Sequence, residues 1–148
     1  QFIVRATNPP LVRLRRFIPG LLGIDLAALV LLIAMEALRI SLGALLLGHI
    51  PKFVGVIFLS LGELAKLAAY TVIFSIFIRA LLSWFSHGLH HPITRLLGSF
   101  TDPMLRPVQR VLPATGGIDL SPLIVFILMM LLLKLAVQPL LDLGRGLI

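Results

Sequence analysis

The amino-acid sequence predicts an all-α, polytopic membrane protein with three spanning helices in this chain, built as two tandem repeats that each open with an amphipathic interfacial linker helix. Three observations predict it. Of the 148 residues 59% are hydrophobic and 13% charged, with a mean hydropathy of +1.08, which is too apolar for a surface facing water. Three apolar stretches are each long enough to cross a ~30 Å hydrocarbon core. Residues 7–29 and 101–123 align without a gap at an offset of 94, with ten of 23 positions identical; unrelated stretches of this composition share about two or three.

The elements follow in chain order. Asn8 and Pro9 read as a helix start, a capping side chain followed by a proline whose missing N–H is no loss in the first turn. At ~100° per residue Leu11, Leu14, Phe17 and Ile18 share one arc, with Arg13 and Arg16 opposite and Arg15 near the edge. In the second copy Leu105, Val108, Val111 and Leu112 hold the same arc and Arg110 the other side. Two readings fit this pattern: a helix in the headgroup plane with its apolar side in lipid, or an amphipathic linker packed on protein. Pro19 and Pro113 stop these helices, and glycines, Gly117 among them, turn the chain into the membrane.

Residues 24–47 make a helix of about 36 Å, enough for one crossing. Gly48, His49, Ile50 and Pro51 turn the chain back. Residues 52–85 would span about 51 Å, more than the core requires, which predicts a tilt, a kink near Gly62 or a separate interfacial start. Residues 118–141 form the third crossing. Trp84 stands where an interfacial aromatic is expected, and Pro139 and Gly144 are expected to loosen the last turn. The chain thus divides into a first repeat (1–50), a middle membrane helix (51–91) and a second repeat (92–148).

Three crossings place both linkers on one side. Arg5, Arg13, Arg15, Arg16, Arg95, Arg106 and Arg110 lie there, against Lys52 and Arg145 opposite, so the positive-inside rule assigns the linkers to the cytoplasm. Arg79, two turns inside the cytoplasmic end of the second span, is expected to snorkel outward. The net charge of +7 sits mainly in two short stretches and not on one extended polar face. Anionic lipid headgroups, and not nucleic acid, are the expected partner. The absence of cysteine excludes disulfides, thiolate metal sites and cysteine nucleophiles.

Within the spans, Glu36 with Arg39 and Glu63 with Lys66 are spaced i, i+3 with the acid first. Such pairs neutralise themselves on one helix face, or else line an ion or proton path. Neither pair recurs in the repeat, which favours self-compensation: 94 residues beyond Glu36 and Arg39 stand Met130 and Leu133. Lys134 has no acid within a turn and is expected to snorkel or to pair with Glu36 or Glu63. Asp25 and Asp119 recur at the mouth of a membrane helix, where a carboxylate caps free N–H groups and complements the helix dipole. The sharper expectation adds ion pairs to Arg16 and Arg110. His87, His90 and His91 have a spacing that could ligate a metal or haem, but they read as a polar interfacial loop, and no cofactor is expected. No nucleophile–base pair, phosphate loop or zinc spacing occurs, so the chain is not expected to be an enzyme.

The second copy, TDPMLRPVQRVLPATGGIDLSPL, resembles the signature of the YggT (also YlmG) family of small integral membrane proteins, carried here by Arg106, Pro107, Arg110, Pro113, Gly116, Gly117, Asp119, Ser121 and Pro122. The first copy keeps Arg16, Pro19, Gly23 and Asp25 but has Arg13, Leu22, Ala27 and Ala28 where the second has Pro107, Gly116, Ser121 and Pro122. The run RALLSWF ahead of the second linker resembles the family too. The resemblance implies a non-enzymatic accessory or scaffold protein of the bacterial inner membrane. Its implied roles are in division, in osmotic or ion homeostasis, or in cytochrome maturation, with other membrane proteins or further copies of itself as partners. The rival class is a small ion transporter or channel component, although the two repeats, separated by two crossings, share one topology and form no inverted repeat. Because the second linker follows a membrane helix and the first does not, one more helix upstream of Gln1 is expected.

Overall fold

The computed structural model describes residues 2–18, 25–85, 92–111 and 120–148, and every regular element among them is helical: α1 (Phe2–Phe17), α2 (Leu26–Leu46), α3 (Phe53–Phe85), α4 (Pro92–Val111), α5 (Ser121–Leu132), a π turn (Leu133–Val137) and α6 (Gln138–Gly146). Three segments are long and apolar enough to cross a membrane: Leu26–Leu46, Phe53–Leu82 and Ser121–Gly146. The predicted fold class and its three spans therefore stand. The turn after α2 also forms as expected. Gly48 adopts φ +78°, its N–H reaches the Leu45 carbonyl at 3.0 Å and the His49 N–H reaches Ala44 at 2.9 Å. This closes the helix with a left-handed glycine.

The linkers depart from expectation. α1 begins at Phe2, not at Asn8, and carries Pro9 and Pro10 inside it. α4 begins at Pro92 and runs straight through the Thr101–Asp102–Pro103 step that reads as a turn, with Pro103 and Pro107 in its interior. An interior proline removes a bond to the carbonyl four residues back. In α4 those carbonyls belong to Ser99 and Pro103, and Ser99, Pro103 and Pro107 are all exposed. The lost bonds thus lie on the side where water or headgroups can replace them, and the opposite side stays wound.

α3 is one unbroken helix of 33 residues, so no separate interfacial helix precedes this span. Contacts divide the chain into two compact units, Gln1–Leu64 with Leu140–Ile148, and Ala65–Pro139. In the first unit α1 packs on α2, and the start of α3 packs on α6 by reciprocal glycine contacts. A Cβ on Gly62 would stand 2.6 Å from Cδ2 of Leu141, and one on Gly144 would stand 2.7 Å from Cγ and 2.9 Å from the backbone N of Leu59. Leu59 lies over Gly144 and Leu141 over Gly62, an arrangement that lets two membrane helices approach closely. Gly144 therefore does not loosen a last turn; it is buried. Ser60, fully buried beside this seam, donates to the Val56 carbonyl at 2.7 Å.

The second unit has an apolar core of Val72 and Ile76 from α3, Leu105 from α4 and Val125 from α5, with Val108 and Met129 packed against it. The π turn keeps the third span in phase. Val137 follows Val125 by twelve residues, which in an uninterrupted α-helix sets it ~120° away. A π turn acts as a one-residue insertion and sets the phase back by roughly 100°, so both valines are buried, at 2% and 6% exposure. Gln138 closes the turn by donating to the Leu133 carbonyl, five residues back. Pro139, which has no N–H to offer, follows at once.

Candidate functional site: clamps on the linker helices and charges within the spans

Each linker helix is tied to a spanning helix by an aspartate and an arginine. In the first unit Asp25 caps α2: Oδ1 accepts the Ala28 N–H at 3.2 Å. Its Oδ2 accepts from Arg15, at 2.9 Å from Nε and 2.5 Å from a terminal nitrogen. The cap and the ion pair expected of Asp25 are thus both present, but the cation is Arg15 and not Arg16. On α1 the residue at the edge of the polar arc is the one that reaches the mouth of α2, and both Arg15 and Arg16 are exposed. Hydrogen bonding from Arg15, reinforced by the Ala28 N–H, holds the Asp25 carboxyl below the usual aspartate range.

The second clamp was not legible as a site. Arg79, near the end of the span on α3, donates to Thr101 Oγ1 at 2.7 Å and to Asp102 Oδ1 at 2.5 Å. Thr101 is fully buried and its hydroxyl donates to the Leu97 carbonyl at 2.7 Å. Arg106, one turn along α4, reaches Asp102 Oδ2 at 3.3 Å. Arg79 therefore does not snorkel to open headgroups; it fixes α4 to α3, and its side chain is only a third exposed. Its hydrogen bond to Asp102, with a smaller contribution from Arg106, holds that carboxyl below the usual range. The i, i+4 spacing of Asp102 and Arg106 was the available sequence signal. The cation from another helix had none.

α4 has three faces. Of the arc expected from the sequence, Leu105, 1% exposed, and Val108 are packed in the core, whereas Val111 is exposed and Leu112 lies outside the described residues. A second apolar arc, Leu96, Phe100, Met104 and Val111, is uncovered at 71%, 49%, 38% and 78% exposure. Arg95, Arg106 and Arg110 line the third side, all exposed. One apolar face of α4 thus packs on protein and a second is left uncovered, because the apolar arc is wider than the packed stripe.

Within the spans Glu36 and Arg39 form the expected i, i+3 pair. Nε of Arg39 is 3.0 Å from each carboxylate oxygen, and a terminal nitrogen also bonds Oε1. Glu63 and Lys66 are half-buried and each is engaged. A further i, i+3 pair, Asp142 with Arg145 at 3.1 Å, stands near the end of α6. Lys134 is exposed within the π turn. Pro19, Pro113, Gly116, Gly117, Asp119, His87, His90 and His91 lie outside the described residues.

The model of the CCB3/YggT family matches residues 1–46 and 58–140. This chain belongs to the CCB3/YggT family. A Pseudomonas aeruginosa relative is 37% identical over 140 residues, covering 93% of this chain and 71% of its own length. A Vibrio alginolyticus protein encoded in the proC 3′ region is 39% identical over 129 residues, 86% of this chain and 69% of its own. Escherichia coli K12 YggT is 35% identical over 130 residues, 87% of this chain and 66% of its own. No solved structure matches. The YggT resemblance read from residues 101–123 thus extends across nearly the whole chain, both clamps included.

Proposed function

We propose that this YggT-family chain is a non-enzymatic accessory protein of the bacterial inner membrane that assists the assembly or organisation of membrane protein complexes. The observation that carries this reading is how its polar groups are placed. Asp25, Glu36 and Asp102 are each engaged by an arginine of the same chain, whereas α2 leaves Met35, Leu38, Leu42 and Leu45 uncovered at 52–61% exposure. Charges closed on one another do not form a reacting centre, and apolar spanning surface is what lipid or another membrane protein covers.

In this reading both linkers lie on the cytoplasmic surface, following the seven-to-two excess of basic residues on their side. α4 sits half in protein and half in the leaflet, with Arg95, Arg106 and Arg110 against anionic headgroups. Cross-linking in native membranes tests the function. Recovery of defined membrane proteins of division, ion homeostasis or cytochrome maturation supports it, and a chain that cross-links only to lipid contradicts it.

A second reading, a small ion transporter or channel component, is favoured by one observation: the charged pair Glu36–Arg39 stands within a spanning segment. Intramembrane charges of this kind line ion paths in transporters.

A further inference from the structure

The face of the third span around Lys134 carries its own specificity. Lys134 lies about 20 Å along the helix from Ser121 and about 18 Å from Gly146, the ends of the span, which sets it near mid-bilayer depth. Its four-carbon stem is too short to bring the ammonium to either surface. The side chain is exposed, and among the described residues no hydrogen bond or ion pair engages it. Leu123, Ile127 and Met130 precede it at intervals of four, three and four residues, exposed at 57%, 55% and 41%, with Leu131 beside them at 51%. That interval is the seam of a helix that packs against another helix. The seam ends at Lys134, because the π turn returns Val137 to the buried side. The uncovered apolar row and the uncovered cation thus belong to one surface.

We propose that this surface docks a spanning helix of another membrane protein, one that carries an Asp or Glu at mid-bilayer depth opposite Lys134. Charge decides the occupant. A lysine in hydrocarbon is costly unless it is paired, and lipid tails offer no anion there. A two-fold copy of this chain would bring a second Lys134 to the same depth. Among the described residues the acids within the spans are already committed, Glu36 to Arg39, Asp142 to Arg145 and Glu63 to an interaction of its own. An acidic helix from a different protein meets both the apolar row and the cation; an adduct to a further segment of this same polypeptide would overturn that assignment. This rests on the accessory-protein reading and names the chemistry of its partner.

The test places a photo-reactive residue at Ile127 of the full chain in native membranes, alongside residue-independent chemical cross-linking. The expected result is an adduct from position 127 to a protein whose attached segment is a membrane helix bearing Asp or Glu. Its yield should fall about tenfold in Lys134→Met and be kept in Lys134→Arg. Lys134→Glu should lose the adduct and recover it when the partner's acid is changed to lysine. Purified Lys134→Met must keep the wild-type melting temperature, so that the loss reports docking and not folding. An adduct to lipid alone at position 127, or a protein adduct indifferent to Lys134→Met, overturns the proposal. If chemical cross-linking still recovers protein partners through other faces, the accessory reading survives that failure; if it recovers none, both fall.

Discussion

The glycine seam between α3 and α6 makes the sharpest quantitative prediction, because one substitution can be compared at sites that differ only in what a methyl group would meet. In Gly144→Ala the new Cβ would stand 2.7 Å from Leu59 Cγ and 2.9 Å from Leu59 backbone N. The side chain can rotate away, but the backbone nitrogen cannot, so the helices must separate. Overpacking of this kind costs about 1–3 kcal/mol. In Gly62→Ala the clash is with the Cδ2 and Cγ of Leu141 at 2.6 and 3.0 Å, while its backbone N is 3.6 Å away. A leucine rotamer change relieves much of it, which predicts a cost near the lower end of that range. Gly43 and Gly98, both helical, have nothing within 4 Å of a built Cβ. There alanine should stabilise by up to about 1 kcal/mol through helix propensity. Thermal unfolding of the purified variants in mild detergent reads the order directly: Gly144→Ala lowest, Gly62→Ala between, and Gly43→Ala and Gly98→Ala at or above the parent. If Gly144→Ala melts with Gly43→Ala, the close approach of α3 and α6 is wrong.

The clamps give further outcomes. Asp102→Asn and Arg79→Ala should each release α4, seen as severalfold faster labelling of a cysteine introduced at Val108 on its packed face; the chain has no native cysteine to interfere. In the first unit Arg15→Ala should free α1 to protease while Arg16→Ala leaves it docked, and equal effects would discard the Arg15–Asp25 pair. Both aspartates are held below the ordinary value of 3.8. Their contribution to docking is complete above that value and is lost as pH falls through the depressed one. The mobility of a spin label attached beforehand at exposed Ser99 should therefore stay flat from neutral pH down to the ordinary aspartate range and rise only in stronger acid. A peptide of residues 92–111 should bind anionic vesicles as a helix and lose affinity with added salt. Salt-independent binding to neutral vesicles would show that Arg95, Arg106 and Arg110 serve something other than headgroups.

The fold was legible because its signal is long-range in composition and short-range in pattern. Apolar runs of span length and the repeated proline, glycine and Ile-Asp-Leu steps gave the three crossings and the YggT likeness. The Asp25 cap and the Glu36–Arg39 pair were legible because each depends on residues within one turn. Arg79 with Asp102 was not, since it joins residues 23 positions apart whose meeting depends on the packing of α4. The linker prolines misled for a related reason. Pro103 breaks a helix only where the freed carbonyl has no substitute for its bond, and on the exposed face of α4 solvent can supply one. The π turn left no local mark except Pro139, and Gly144 reads as a helix end until Leu59 is placed over it.

The claim that Glu36, Arg39 and Glu63 are structural charges and not a transport path is tested most directly by solute flux through proteoliposomes of the purified protein. Parent, Glu36→Gln and Glu63→Gln should show the same background flux of protons and monovalent ions, with the substitutions changing melting temperature but not permeability. A parent flux well above protein-free vesicles that Glu36→Gln or Glu63→Gln abolishes would contradict the accessory reading and make the Glu36, Arg39 and Glu63 group an ion path.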